Sequence, residues 1–482
     1  MEAELNGGQD SSLQHQPEER PSDGLAKELA SGTISRGVAL KLLGGASLGL
    51  LALPALPSTA SAAGTLQPPS KTSLGTFNGV EYFQYAGLFA GKTSTGKYSV
   101  PYRISAPANP RRANGNTVLV EPPHFRQGTF LRESYLGRPF LFDRGFLHAS
   151  VGYSTFANRI LDPTAKGVFI RGGVFDGNGR TDDEIIVDFA RALRSDPLAR
   201  ALIGPAAPDG RRYLAGFSDS SDPVKRIVAS GLAEGVFDLV VPIITWDMDN
   251  PQDNPEASIE ASKYSGKVIS VNSELEWHLG RALEDRGTSP HQYRYFIVPG
   301  TPHISDPLCD GTLSNRTTPA GWQPALRAHF LQGHEWVTQG VAPPTSTRLA
   351  TTSSGGAIAR DSNGNALLVD ITGASAPRLP FVELGEAKFI VPKPGATQPP
   401  GVLQGTYAPQ PPPNTQQLGF ASVNEYLAAF GEALNAQKQA GYILNEDAEV
   451  LLNRANLSPQ VTPPATFTLN YHDRYELFRS CM

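Results

Sequence analysis

Arg211-Arg212-Tyr213-Leu214-Ala215-Gly216-Phe217-Ser218-Asp219-Ser220-Ser221 changes character at its midpoint. Tyr213 to Phe217 is β-prone and mostly apolar, which suits a buried strand. Ser218 then opens a polar run that leads into a helix. A strand that turns into a helix through one residue forces that residue into strained backbone angles and leaves its hydroxyl at an exposed tip, the geometry of a nucleophile elbow. The residues two before and two after the tip must be small, and Gly216 and Ser220 are. The usual pattern carries glycine at both places, so G-x-S-x-S matches it in part. An ordinary polar turn after a strand has the same look. Gly45-Ala46-Ser47-Leu48-Gly49 fits G-x-S-x-G in full, but it lies inside an apolar targeting segment and is set aside.

The chain on either side alternates strands with helices. Upstream, Gly75 to Gly91 reads as extended segments with turns and Tyr98 to Ser105 as an alternating strand. Thr117 to Glu121 is a buried strand stopped by Pro122-Pro123, and Phe146 to Tyr153 is another. Thr181-Asp182-Asp183-Glu184 has the form of a capping box. It opens a helix with Ile185, Ile186, Phe189 and Leu193 on its apolar face. After the elbow, a helix with Asp222-Pro223 near its start runs to about Ala233. Apolar runs follow at Phe237 to Thr245, Lys267 to Val271 and Tyr293 to Val298. This alternation predicts an α/β fold, a mostly parallel central sheet flanked by helices. Such sheets place function at the carboxyl ends of their strands.

Two further strand ends carry chemistry. Asn272-Ser273-Glu274-Leu275-Glu276-Trp277 follows one, and Pro299-Gly300-Thr301-Pro302-His303 the next. A carboxylate, Glu274 or Glu276, and then His303 give the chain order Ser…Glu…His. That is the order of α/β-hydrolases and not of the chymotrypsin or subtilisin arrangements. A serine hydroxyl needs a base to act as a nucleophile. His303 would take its proton and later return it, while the carboxylate orients the ring. The oxyanion needs two preset N–H donors. One is the backbone N–H of Asp219. Pro122 and Pro123 have none, so the second falls to His124 or Phe125. Either glutamate could instead simply begin a helix, and His124 could be a plain loop residue.

These segments resemble the α/β-hydrolase domain-containing proteins of a bacterial family, many of them exported. The resemblance rests on Gly216-Phe217-Ser218-Asp219-Ser220, on Asn272-Ser273-Glu274-Leu275-Glu276-Trp277 with Gly280-Arg281-Ala282, and on Gly300-Thr301-Pro302-His303. It extends to Asp361-Ser362-Asn363-Gly364-Asn365, Pro377-Arg378-Leu379-Pro380 and Ile443-Leu444-Asn445-Glu446-Asp447-Ala448, covering roughly residues 75 to 460. It implies the α/β-hydrolase fold, a serine hydrolase, and Glu276 rather than Glu274 as the acid. Asp219 stands where the family often has Gln, and Ser221 where it often has Gly. The function so implied is hydrolysis of a small-molecule or lipid-like carboxylic ester. The alternatives are a lactone, amide or acyl-transfer substrate, or a catalytically dead hydrolase fold that only binds.

Composition sets the remaining bounds. The 482 residues are 40% hydrophobic with net charge −5, enough for a large core and without the basic surface that nucleic acid requires. Residues 1–33 read as a disordered polar N-terminus. Residues 34–63 read as an export signal: Arg36 and Lys41, an apolar run from Leu42 to Leu56, then Ala60-Ser61-Ala62 as an A-x-A site, with cleavage near Ala62-Ala63. Ser35-Arg36-Gly37 is Tat-like with Gly37 in place of the second arginine, so a Tat-like or a Sec route fits. The apolar run is too short for a stable membrane span. Cys309 and Cys481 are too few for a metal cluster or a disulfide scaffold, and export would permit them to pair. Asp247-Met248-Asp249-Asn250-Pro251-Gln252-Asp253-Asn254 has oxygen ligands at close spacing but lacks the EF-hand glycine and terminal glutamate, and reads as a solvated turn, with Asp247 or Asp249 a lesser alternative for the triad acid. No metal and no cofactor are expected, and the oligomeric state is open. Residues 64–345 form the hydrolase core. Residues 346–482 form a C-terminal extension with a proline-rich linker, Gln398 to Pro413, and a helical hairpin. Ser422-Val423-Asn424-Glu425 caps its first helix, with Val423, Leu427, Phe430 and Leu434 on the apolar face and Gly441 at its end. Asn445 caps the second.

Overall fold

The computed structural model describes residues 64–457 apart from 95, 115–116, 125–134, 155–156, 158–160, 162–179, 205–209, 246–253, 280–283, 305–319, 353–355, 386, 393–402, 404 and 410–418. Outside them lie the export signal, both cysteines, Phe125, most of the proline-rich linker, Gly280-Arg281-Ala282, and all of the Asp247 run but Asn254. Asn254 caps the helix after it, accepting from Glu256 N at 2.8 Å and Ala257 N at 3.3 Å.

Strands β1 (Thr65–Leu66), β2 (Ser70–Phe77), β3 (Val80–Lys92) and β4 (Lys97–Pro107) open the chain as an antiparallel group. Then come β5 (Val118–Val120), α1 (Arg138–Phe142), β6 (Leu147–Val151), α2 (Arg180–Ser195) and α3 (Pro197–Ile203). Next are β7 (Arg212–Phe217), α4 (Ser221–Ala229), β8 (Leu239–Ile243), α5 (Pro255–Glu260), β9 (Lys267–Ser273), α6 (Glu274–Leu279), β10 (Tyr293–Val298) and α7 (Gln323–Gln339). The extension adds β11 (Thr347–Leu349), β12 (Leu368–Asp370), α8 (Pro380–Glu383), β13 (Ala387–Ile390), β14 (Thr406–Pro409), α9 (Val423–Gln439) and α10 (Asn445–Leu457).

The main sheet runs β1-β3-β4-β6-β5-β7-β8-β9-β10, with β2 on β3. From β6 to β10 every neighbour is parallel. After β5 the chain steps outward to β6, then returns to β7 on the other side of β5. That reversal opens a crevice past the carboxyl ends of β5 and β7, where open α/β sheets bind ligands.

The parallel strands are buried on both faces, as their near-continuous Val/Ile/Leu content demands. Val118, Val120, Leu214, Val240 and Val268 join one core cluster with Ile185, Ile186, Phe189 and Leu193 of α2 and Val224, Ile227 and Val228 of α4. Leu119, Tyr213, Phe217, Leu239, Val241 and Ile269 face the other way, onto α1, α7, α9 and α10. The extension therefore shares the core of the sheet. It also protects the sheet's last edge: Tyr295 N donates to Ser346 Oγ (3.0 Å) and Ile297 N to Thr347 Oγ1 (3.2 Å), so hydroxyls satisfy the ladder groups of β10 that lack a strand partner.

Several local expectations change. Helix α10 includes Asn445 as its first residue, and Leu444 stands ahead of it, its carbonyl accepting from Ala448 N at 2.9 Å. Helix α2 already includes Arg180, ahead of Thr181. Glu184 instead accepts from Ser94 N (2.7 Å) and Ser94 Oγ (2.9 Å) in the turn between β3 and β4. Helix α4 stops at Ala229 and not near Ala233, because Gly231 turns the chain at φ 79°. In α9, capped by Ser422 Oγ at 3.1 Å from Glu425 N, Phe430 and Leu434 are buried as expected, Leu427 is half-buried, Tyr426 and Gln437 join the buried face, and the Val423 side chain lies outside the described residues. Tyr426 packs edge-on to Phe420 and takes the place that periodicity alone gives to an aliphatic residue.

Among the described residues, no helix is long and apolar enough to cross a membrane, and no His/Cys/Asp/Glu group could hold a metal ion.

Candidate active site

Strand β7 ends at Phe217, Ser218 follows at φ 50°, and α4 starts three residues later. A non-glycine residue at positive φ is uncommon and strained. Gly216 is required because α4 folds back over the strand end. A Cβ there would lie 2.2 Å from the Ser220 carbonyl oxygen. At Ser220 the usual glycine is absent, and the hydroxyl binds the turn. Ser220 Oγ accepts from Phe217 N (3.0 Å) and donates to Phe217 O (2.9 Å). The serine variant of the motif thus adds hydrogen bonds that glycine could not make.

The other two predicted residues converge on this tip. β9 and β10 pair in parallel so that Ser273 lies opposite Val298, and their ends are level. His303 Nε2 is 2.7 Å from Ser218 Oγ, and His303 Nδ1 is 2.6 Å from Glu276 Oε1. All three are buried, at 5, 1 and 3% exposure, so their hydrogen bonds face little competition from water. With Glu276 as acceptor, the ring carries its proton on Nδ1 and offers Nε2 to the serine; the tautomer follows from the network.

Glu276 is held by a capping box that the sequence contains in plain form, Ser273-Glu274-Leu275-Glu276. Leu275 N donates to Ser273 Oγ (3.2 Å). Glu276 Oε2 accepts from Ser273 N (3.0 Å) and from the Ser273 hydroxyl, leaving Oε1 for His303. The S-x-x-E spacing is the local signal for this arrangement. His303 is held from behind, where Trp322 Nε1 donates to its carbonyl at 3.4 Å.

Glu274 does not face His303. Its Oε2 accepts from Gly300 N (2.7 Å) and its Oε1 from Arg360 Nη2 (2.8 Å). Burial pushes its carboxyl above the usual range, opposed by Arg360 and by the Gly300 N–H. The sequence gives no sign of Arg360, which arrives from the extension.

His124 lies on the other side of the elbow. Its ring stacks on Phe217 with centroids 4.6 Å apart, and Nε2 is 3.8 Å from Asp219 Oδ2, beyond hydrogen-bond length. The strand end that precedes it is fixed from β6. Glu121 Oε2 is 2.9 Å from His148 Nε2, the Glu121 carbonyl accepts from Ser150 Oγ, and Pro123 O accepts from Tyr153 OH at 3.2 Å. Residues 121–124 and the Ser218 turn thus pack against each other at the carboxyl ends of β5 and β7. At the end of β8, Ile244 is also at positive φ, 41°, a rarer event for a β-branched residue.

A mostly parallel sheet with a strand–serine–helix elbow and an imidazole reaching it from a later strand end is the α/β-hydrolase architecture. Residues 86–453 match the family described as alpha/beta hydrolase domain, and the chain belongs to that family. No curated protein matches it. Among solved structures it is similar to the rice cell wall degrading esterase LipA of Xanthomonas oryzae, with 12% identity, TM-score 0.25, and 38% of this chain and 50% of that one covered. It is also similar to fungal esterases of Rhizomucor miehei (10%, TM-score 0.26, 48% and 76%) and to the peroxisomal alpha-beta-hydrolase Lpx1 of Saccharomyces cerevisiae (9%, TM-score 0.32, 54% and 90%). The match spans half the length of the Xanthomonas esterase. Membership rests on the family match over 86–453.

Proposed function

We propose that the protein is an exported serine hydrolase that cleaves a small-molecule or lipid-like carboxylic ester through an acyl-enzyme. Ser218 is the nucleophile, His303 the base and then the acid, and Glu276 the carboxylate that orients the ring. The observation that carries this reading is the continuous run of short contacts from Ser218 Oγ through the His303 ring to Glu276 Oε1.

As Ser218 Oγ attacks the ester carbonyl, its proton passes to His303 Nε2. Glu276 stabilises the imidazolium without taking the proton. The carbonyl oxygen, now an oxyanion, is met by the N–H of Asp219 and by a second N–H from residue 124 or 125, of which Phe125 lies outside the described residues. Collapse breaks the ester C–O bond, and the leaving alkoxide takes the proton from Nε2 and departs as an alcohol. Water then repeats the sequence on the acyl-enzyme, releasing the acid and restoring Ser218.

A fluorophosphonate probe with peptide mapping tests the nucleophile, and a panel of esters, lactones and amides tests the bond. Labelling at Ser218 with ester turnover dominant is the expected result. Labelling elsewhere, or none with no turnover, overturns it. Export is tested separately by N-terminal sequencing of envelope and supernatant protein, which should begin near Ala63; an intact Met1 in the cytosol overturns that part.

A further inference from the structure

Glu274 is fully buried, two residues before Glu276 and on the same short helix, yet it takes no part in the contacts around His303. A carboxylate in such a place is strongly destabilising if left uncompensated. Here both oxygens are engaged, and by partners of different origin. Gly300 N, at 2.7 Å, belongs to the loop that leaves β10 and carries His303 three residues later. Arg360 Nη2, at 2.8 Å, belongs to the C-terminal extension, and its Nη1 also donates to Gly364 O at 3.1 Å. The guanidinium thereby joins the Asp361–Asn365 turn of the extension to the base of the His303 loop.

The same loop meets the extension at two more points. Gly300, at φ 77°, lies so close to α8 and β13 that a Cβ would be 3.2 Å from Phe389 Cβ and 3.3 Å from Val382 Cγ2. On the far side of His303, Ile304 N donates to Leu403 O at 2.9 Å. The loop is thus gripped before and after the histidine, and a charged grip runs through Glu274. A charge-assisted bond is roughly twice as strong as a neutral one. An uncharged residue at 274 would accept the Gly300 N–H without drawing in the extension.

We propose that Glu274 and Arg360 form a positioning pair through which the C-terminal extension sets the placement of His303, so that the extension is part of the hydrolytic unit. This rests on the reading of Ser218, His303 and Glu276 as the reacting set. Neither member of the pair touches the reacting atoms; both act through the loop. Their loss slackens the loop, and a displacement of about 1 Å in a reacting group costs up to about a hundredfold in rate. Both oxygens of Glu274 are taken up by Gly300 and Arg360, so the effect is expected on kcat more than on KM.

The test is steady-state kinetics on an aryl ester, with thermal melts, for the full chain carrying Arg360→Met, Arg360→Lys, Glu274→Gln and the Glu274→Gln/Arg360→Met double variant. The expected result is a fall in kcat of about tenfold to a hundredfold in Arg360→Met, with KM within about twofold. Arg360→Lys, which keeps the charge, recovers part of it, and the double variant is no worse than Arg360→Met. Unchanged kcat in Arg360→Met and in Glu274→Gln overturns the proposal. So does a loss in which melting temperature and KM move together with kcat and Lys gives no recovery, the mark of a merely structural contact. Ser218→Ala, run alongside, separates the two claims: if it keeps full turnover, the reacting set is misread whatever Arg360 does.

Discussion

Ser218 holds φ 50° whatever its side chain, because the strand before it and the helix after it fix the turn. Alanine keeps a Cβ and therefore the strain; glycine relieves it. Ser218→Ala should abolish ester turnover and leave the melt near that of the parent. Ser218→Gly should be as inactive but more stable than Ser218→Ala by about 1 kcal/mol. Equal melts for the two variants would show that the turn is not strained. The chemistry should depend on Ser273 as well. Ser273→Ala removes a helix cap and one of the donors on Glu276 Oε2, so it should cost about 1 kcal/mol of stability and lower kcat about tenfold through a loosened carboxylate. Kinetics with a melt on the same sample reads both, and an unchanged kcat would mean that the Ser273 backbone N–H alone suffices to hold Glu276.

At the scale of elements, the elbow depends on how closely α4 approaches the end of β7. The limit is set at Gly216, where a Cβ would stand 2.2 Å from a backbone carbonyl that no side-chain rotation can move. Gly216→Ala should therefore cost about 2–3 kcal/mol and displace Ser218, so that activity falls along with stability. Ser220→Ala should be milder, since it removes hydrogen bonds to Phe217 and adds no clash. Comparison of the two in denaturant melts and ester kinetics decides whether steric fit or the hydroxyl dominates. The extension's elements belong in this account too. β11 covers the edge of β10, and α9 and α10 bury Tyr426, Phe430, Leu434 and Leu451 on a face of the central sheet.

For the whole molecule, the junction between core and extension carries two buried ionisable groups with opposite pH behaviour. His329 on α7 stacks on Phe296 with ring centroids 3.4 Å apart and donates through Nδ1 to Gln332 Oε1 (2.8 Å); Gln332 Nε2 donates on to Gly441 O (2.6 Å), at the hairpin turn. Burial lowers the His329 pKa to about 3. The unfolded chain takes up that proton near the ordinary histidine pKa and the folded one does not. Its contribution is therefore complete above about pH 6.5 and is lost as pH falls towards 3, by at most roughly 1.4 kcal/mol per pH unit. Asp447, at 3.0 Å from Arg327, runs the other way: burial raises it to about 6, so its contribution is complete below the ordinary carboxylate range and is lost as pH rises through about 6. Melting temperatures from pH 3 to 7 should show a flatter acid side in His329→Phe and a steeper one in Asp447→Asn. Parallel curves for both variants would mean that neither group titrates differently on unfolding.

Much of this was written in local patterns. Period-two and continuous apolar runs mark strands because burial on one face or both selects side chains in that rhythm. Small residues mark the elbow because sterics act over two or three residues. Ser218 follows directly on β7, the two glutamates lie just past the end of β9 and His303 in the loop that leaves β10, and parallel strands bring their carboxyl ends to one edge of the sheet. The sequence by itself therefore determined the α/β class, the strand-end positions and the order of the three residues. Which glutamate faces the imidazole was not determined by strand-end position alone, since Glu274 and Glu276 are two positions apart on one short helix and diverge by its rotation. Only tertiary structure turned Glu276 to His303 and Glu274 to Gly300 and Arg360. Arg360 lies 86 positions along the chain from Glu274. No local pattern encodes a contact of that range; it arises because the extension's apolar face has nowhere to be buried except against the sheet, and docking there delivers the guanidinium beside the loop of His303.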